Sequence, residues 1–155
     1  MGVEIERKFL VAHDGWRGAA SSGERYRQGY VAVGPPAAVR VRIMGDRAVL
    51  NLKKATTDIT RDEFEYAIPI EDAEAILERL CSGRVIEKTR YKVPHAGLTW
   101  EVDVFEARNA GLVVAEIELE SETHEFERPP WLGQEVSGDV RYFNSSLSVT
   151  PYTEW

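Results

Sequence analysis

Cysteine is almost absent: Cys81 is alone among 155 residues. No intramolecular disulfide can form, and a reducing cytoplasm is the simplest home for such a chain. No apolar run reaches 18 residues, so no membrane-spanning helix is expected. The N-terminus has neither the basic lead nor the apolar core of a signal peptide. Neither GxGxxG nor GxxxxGKS/T occurs, which removes phosphate binding at a glycine-rich helix start. The three histidines, His13, His95 and His124, share no spacing that suits metal ligation or a nucleophile pair, and solvated positions are expected. Basic residues are in deficit, with 19 Lys and Arg against 26 Asp and Glu, for a net charge of −7. That opposes tracking along a nucleic-acid backbone. It does not oppose a small phosphate compound held by a local basic cluster. There is no repeat, low-complexity tract or long linker, and the length suits one domain over residues 1–155.

What the chain does have is strict alternation of charge. Glu4, Glu6 and Lys8 share one parity of the opening run, with Ile5 and Phe9 on the other. Arg40 and Arg42, Glu63 and Glu65, Lys88 and Arg90, Glu101 and Asp103, and Glu116, Glu118 and Glu120 repeat the pattern. A strand sends successive side chains to opposite faces, so each run is ionic on one face and apolar on the other. Strands are expected at 2–11, 24–33, 38–44, 47–54, 61–69, 84–93, 98–106 and 112–121. Short turn segments such as Gly34-Pro35-Pro36 and Met44-Gly45-Asp46 favour antiparallel neighbours.

One clear helix is expected at 71–81, where Ala73, Ile76, Leu77 and Leu80 recur at helical spacing. Glu71 and Asp72 favour its positive end, and Gly83 lies where a C-terminal cap belongs. Cys81 at its end is expected to be a buried small apolar group. A weaker helix is expected at 12–21. Another lies within 139–148, with Asp139 as its N-cap. Residues 124–138 are expected to wrap the surface.

The ordinary arrangement would put the apolar parity inside a barrel and the charges in water. Grouping by sign argues for the reverse. Acids gather on some strands and bases on others, and like charges two apart on one face repel unless something binds between them. Solvent faces tend instead to mix their signs. An inward ionic face suits a polyanion with its metal ions, and helices would cover the outward apolar layer.

The run EIERKFLV, together with RQGYV, VRVRI, LNLKK, EKTRY, WEVDVF and AEIELE in order, resembles the CYTH or triphosphate tunnel metalloenzyme family. RPPWLGQEVSGDVRYFN resembles the C-terminal stretch of its short bacterial branch. The resemblance covers nearly the whole chain. It implies a single triphosphate tunnel domain of α+β class: an eight-stranded antiparallel barrel, open at its ends, with a charged interior and a few helices outside. It also implies Mg²⁺ or Mn²⁺ and a small triphosphate substrate.

Arg supplies a planar fork for phosphate oxygens and Lys a point charge. Arg40, Arg42, Lys53, Lys88 and Arg90 are therefore assigned to grip phosphates, with Lys8 near the reacting end. Arg141 joins them by resemblance only. Glu4 with Glu6, and Glu116 with Glu118, are same-face carboxylate pairs suited to a hard cation if the first and last strands meet. The family places its metal there. Glu63, Glu65, Glu101, Asp103 and Glu120 are the supporting acids, either orienting metal-bound water or simply partnering the bases. Tyr30 matches a position that, in some members, pairs with the lysine of the opening motif; the alternative is a barrel-end aromatic that packs. Val140 and Phe143 stand where certain members carry lysines.

The leading expectation is metal-dependent hydrolysis of tripolyphosphate to pyrophosphate and phosphate, as the resemblance to the short bacterial branch implies. Class IV adenylate cyclase, thiamine triphosphatase and a non-catalytic polyphosphate- or nucleotide-binding module are the alternatives. Neither nucleic acid nor membrane is an expected partner, and the sequence leaves a homodimer open.

Overall fold

The computed structural model describes residues 2–155. The strands are β1 (Gly2–Val11), β2 (Glu24–Ala32), β3 (Ala37–Met44), β4 (Arg47–Lys54), β5 (Thr60–Ile68), β6 (Val85–His95), β7 (Leu98–Phe105), β8 (Val113–Glu118) and β9 (Leu132–Glu135). Helix α1 spans Ile70–Leu80 and α2 spans Asn144–Leu147. Sheet order is β5-β4-β3-β2-β6-β7-β8-β1-β9, and β5 also pairs with β1. That pairing closes an eight-stranded antiparallel barrel, with Gly2 opposite Glu63 and Ile5 opposite Thr60.

β1 serves three neighbours. Its first half pairs with β5, its second half with β9 through Phe9–Glu135 and Val11–Leu132, and its other edge with β8. β9 was not expected from the sequence. It is four residues of Leu-Gly-Gln-Glu without alternation. It forms because β1 has a free edge where β5 leaves it, and an unpaired buried edge costs hydrogen bonds.

The ionic parity faces inward, as expected. The outward layer is covered in two ways. Over β2, β3 and β4, α1 packs Ala73 and Leu77, with Cys81 just past its end, against Val41, Ile43 and Ala48. The approach is so close that a Cβ at Gly29 would lie 2.7 Å from both Leu77 Cδ2 and Cys81 Cβ, which requires glycine there. Over β1, β6, β7 and β8 the cover is irregular chain rather than helix. Trp16 comes from a 3₁₀ helix at Asp14–Ala19, which replaces the helix expected at 12–21. Phe126 and Trp131 come from the segment before β9. Trp100, fully buried, has its ring centroid 5.6 Å from Phe9, 5.5 Å from Phe126 and 5.7 Å from Trp131.

One end of the barrel is not ionic. Tyr30, Ile86, Phe105 and Val114, on the inward parity of their strands, form an apolar cluster with Leu112 and with Leu147 of α2. Leu10, Ala38 and Tyr142 pack against it. The C-terminal segment thus fills an end that the resemblance implied to be open. Within it, Asp139 accepts from Arg141 N as expected of a cap, although it caps a 3₁₀ turn at Val140–Tyr142 ahead of α2. Among the described residues, no helix is long and apolar enough to cross a membrane.

Candidate active site

Strand order sorts the inward side chains by charge. Going round the barrel, β7, β8, β1 and β5 are consecutive and carry Glu101, Asp103, Glu116, Glu118, Glu4, Glu6, Glu63 and Glu65. The other four, β4, β3, β2 and β6, carry Lys53, Arg40, Arg42, Lys88 and Arg90, with neutral Asn51 and Gln28 between them. An acidic arc therefore faces a basic arc across one cavity of about 280 Å³.

Ion pairs gather where the arcs meet. At the β6–β7 seam, Arg90 forks onto Asp103 with Nε–Oδ1 2.7 Å and a second bond of 2.9 Å to Oδ2, and reaches Glu101 at 3.1 Å. Lys88 Nζ donates to Asp103 Oδ2 at 2.7 Å. At the other seam, Lys53 Nζ reaches across β5 to Glu4 at 2.9 Å, and Asn51 donates to Glu63 at 2.7 Å. Lys8 is a base within the acidic arc, 3.6 Å from Glu116, and its ammonium donates to the Tyr142 carbonyl at 3.2 Å.

The centres of the arcs are left uncompensated. Arg40 is 7% exposed, and its Nε has no hydrogen-bond partner among the described residues. Arg42 donates its Nε to neutral Gln28 at 2.8 Å. Burial, then Arg40 and Arg90, pull its guanidinium down to about 9. On the acidic side, burial and the carboxylates of Glu116 and Glu4 push Glu6 well above the usual range, against Lys53 and Lys8. Glu118 is raised by burial, Glu4 and Glu101, and Glu63 by burial and Glu4.

The carboxylates that face a cation directly go the other way. Burial opposes ionisation of Glu4, Asp103 and Glu116, but their cations prevail: Lys53 for Glu4, Arg90 and Lys88 for Asp103, Lys8 and Arg90 for Glu116. Arg90 is held protonated against its burial by Asp103, Glu116 and Glu101. Lys88, with no exposed surface, is brought down to about 7 by burial and by Arg90 and Arg42, against Asp103.

Glu4, Glu6, Glu116 and Glu118 all line the cavity, and Glu6 faces Glu118 across the β1–β8 ladder. Their oxygens are the donors a hard divalent ion prefers, and Glu6, crowded by like charge, is the group such an ion would relieve. No three Asp, Glu, His or Cys side chains among the described residues converge as a finished cage. The set fits a cation in chemistry, provided that Glu4 and Glu116 exchange their present lysine and arginine partners.

Two expected site residues stand apart. Glu120 lies beyond the end of β8 at Glu118, where alternation no longer applies, and is exposed. Arg141 turns outward, paired with Asp139 at 2.7 Å and set against Trp155, its ring centroid 5.1 Å away. Tyr30 lines the cavity, yet the bond from Lys8 goes to Tyr142 rather than to Tyr30, whose ring joins the apolar cluster. Phe143 also lines the cavity, with Lys8 Nζ 5.6 Å and the Arg61 guanidinium 5.4 Å from its ring. Of the histidines, His13 is exposed and accepts from Gly15 N, while His95 is partly buried, 4.0 Å from Glu127.

Sequence reasoning missed Gln28, Asn51, Arg61 and Asn144. The first three share the inward parity of Tyr30, Lys53 and Glu63, so parity could have found them. Asn144 had no such signal, because it comes from the C-terminal helix.

The CYTH domain matches residues 2–150. An inorganic triphosphatase of Acetivibrio thermocellus is 50% identical over 152 residues, covering 98% of this chain and 97% of that protein. Another, of Nitrosomonas europaea, is 38% identical over 157 residues, covering 96% and 98%. A crystal structure of an inorganic triphosphatase superposes with a TM-score of 0.70 at 35% identity, over 96% of each chain. Barrel closure, an inward ionic face and a domain match along almost the whole length agree: this chain belongs to the CYTH family.

Proposed function

We propose that the chain hydrolyses inorganic triphosphate, releasing pyrophosphate and phosphate, with Mg²⁺ or Mn²⁺ bound by Glu4, Glu6, Glu116 and Glu118. Membership of the family implies a divalent cation and a small triphosphate substrate. The observation that carries the reading is Arg40. A buried guanidinium with an unpartnered Nε, beside a second arginine whose charge is already penalised, marks a cavity short of one anion.

The basic arc grips the chain of phosphates. Arg40 and Arg42 take non-bridging oxygens, and Lys53, Lys88 and Arg90 neutralise the rest. Arg61, which lines the cavity beside Phe143, adds a further cation. Lys8 stands on the opposite arc, facing the phosphorus that is attacked. Water adds to that terminal phosphorus as the bond to the bridging oxygen breaks, a water proton passes to an oxygen of the products, and pyrophosphate and phosphate depart. A bound divalent cation supplies charge neutralisation at the phosphate oxygens and a more acidic water. Asp103 and Glu101 keep Arg90 aimed, and Glu63 and Glu65 hold Asn51. Substrate and cation assist one another: phosphates that draw Lys53 and Lys8 toward themselves free Glu4 and Glu116.

The test is phosphate release from tripolyphosphate, ATP and thiamine triphosphate with Mg²⁺ or Mn²⁺, alongside a cyclic AMP assay. Turnover of tripolyphosphate, lost in Arg40→Gln, is expected. No phosphate from tripolyphosphate with either metal refutes the reading, and cyclic AMP from ATP would replace it with a cyclase.

A further inference from the structure

A hydrogen-bonded chain runs through the basic arc and ends on the C-terminal segment. Arg42 Nε donates to Gln28 Oε1 at 2.8 Å, and Gln28 Nε2 donates to Asn144 Oδ1 at 3.0 Å. Lys88 Nζ donates to the same Oδ1 at 3.0 Å and to Asp103 Oδ2 at 2.7 Å. Asp103 in turn accepts the fork of Arg90. Gln28, Lys88 and Asp103 have no exposed surface. The amide orientations are forced from both ends. Lysine and arginine only donate, so Asn144 must present its oxygen to Lys88 and Gln28 its oxygen to Arg42. The bond between the two amides then has one direction.

We propose that Asn144 is a positioning residue for the phosphate-gripping cations, acting on Lys88 directly and on Arg42 through Gln28. The inference rests on the proposed triphosphate site and says how that site is kept ordered without a further negative charge. A neutral amide oxygen satisfies a buried ammonium without cancelling its charge. A carboxylate in the same place would satisfy it and neutralise it. Lys88 already shares Asp103 with Arg90, so a second carboxylate would leave it little charge to offer a phosphate. The amide at 144 fixes Lys88 and leaves its attraction for an anion intact. Gln28 does the same for Arg42.

The experiment measures tripolyphosphate affinity by calorimetry without divalent metal, and the melting temperature without ligand, for wild type, Asn144→Asp and Asn144→Ala. Asn144→Asp keeps an acceptor for Lys88, so the melting temperature is expected to hold or rise while affinity falls at least tenfold. Asn144→Ala is expected to lower both. With turnover, KM should follow the affinity while kcat changes less. Wild-type affinity in Asn144→Asp overturns the proposal, even if Asn144→Ala does not fold, because a purely structural role predicts that result. A wild type that binds tripolyphosphate but does not hydrolyse it sinks the hydrolysis reading alone. A wild type that does not bind it sinks both.

Discussion

Lys88 offers the sharpest quantitative test. Burial brings its ammonium from the ordinary 10.5 down to about 7, Arg90 and Arg42 push the same way, and Asp103 pulls back. A polyanion laid on the basic arc reverses the balance and returns the proton. Near pH 8 a group titrating at 7 is about one-tenth protonated, so binding should take up about 0.9 proton; near pH 7 the uptake is about 0.5, and near pH 6 about 0.1. Affinity should weaken by about tenfold per pH unit above 7, until the bound-state titration is reached. Calorimetry at about pH 8 without divalent cation, in two buffers of different ionisation enthalpy, reads the proton count as a slope. Lys88→Met supplies the baseline for protons gained by tripolyphosphate itself. The sign for stability follows from the same shift. Between about 7 and 10.5 the unfolded chain holds a proton that the folded protein has released, so the Lys88 contribution makes stability rise with pH across that window, and Lys88→Met removes the rise. Equal slopes for wild type and Lys88→Met would refute the argument.

Glu6→Gln removes a carboxylate whose ionised form is disfavoured by burial, Glu116 and Glu4, so the unliganded protein should melt higher while metal-dependent phosphate release is lost. Arg141→Ala and Glu120→Gln should leave KM and kcat for tripolyphosphate within about twofold, since neither side chain lines the cavity; a tenfold loss in either would restore it to the site. Trp100→Ala should cost about 3–5 kcal/mol in denaturant unfolding, because a fully buried indole touching Phe9, Phe126 and Trp131 leaves a cavity that its neighbours cannot close.

Parity was the most legible property of the chain. Seven of the eight barrel strands and α1 fall within two residues of their expected bounds, because period-2 and helical spacing are local, while β8 stops at Glu118, three residues short. Strand order was not legible. Nothing local says that β2 lies between β3 and β6, and this order is what collects the acids on one arc and the bases on the other. β9 escaped because its pairing is decided by a vacancy on β1, not by its own four residues. Glu120 was set inward by a strand expected to run to 121, and β8 ends at Glu118. Arg141 was assigned by resemblance alone, and it lies outside the strands, paired with Asp139. Asn144 escaped because an amide in a four-residue helix gains its meaning from Lys88 and Gln28, which are 56 and 116 positions away in sequence.

The inward and outward faces of each strand also limit how the gene can change length. Inserting one residue into the middle of β3 would turn Arg40 or Arg42 toward α1 and send a valine into the cavity, since a single-residue slip reverses every side chain beyond it. Changes in length are therefore confined to hairpin tips such as Gly34–Pro36 and Ala96–Gly97, where the chain reverses outside the barrel. Among descendants of this sequence, indels should crowd into those tips, and strand interiors should vary by substitution alone.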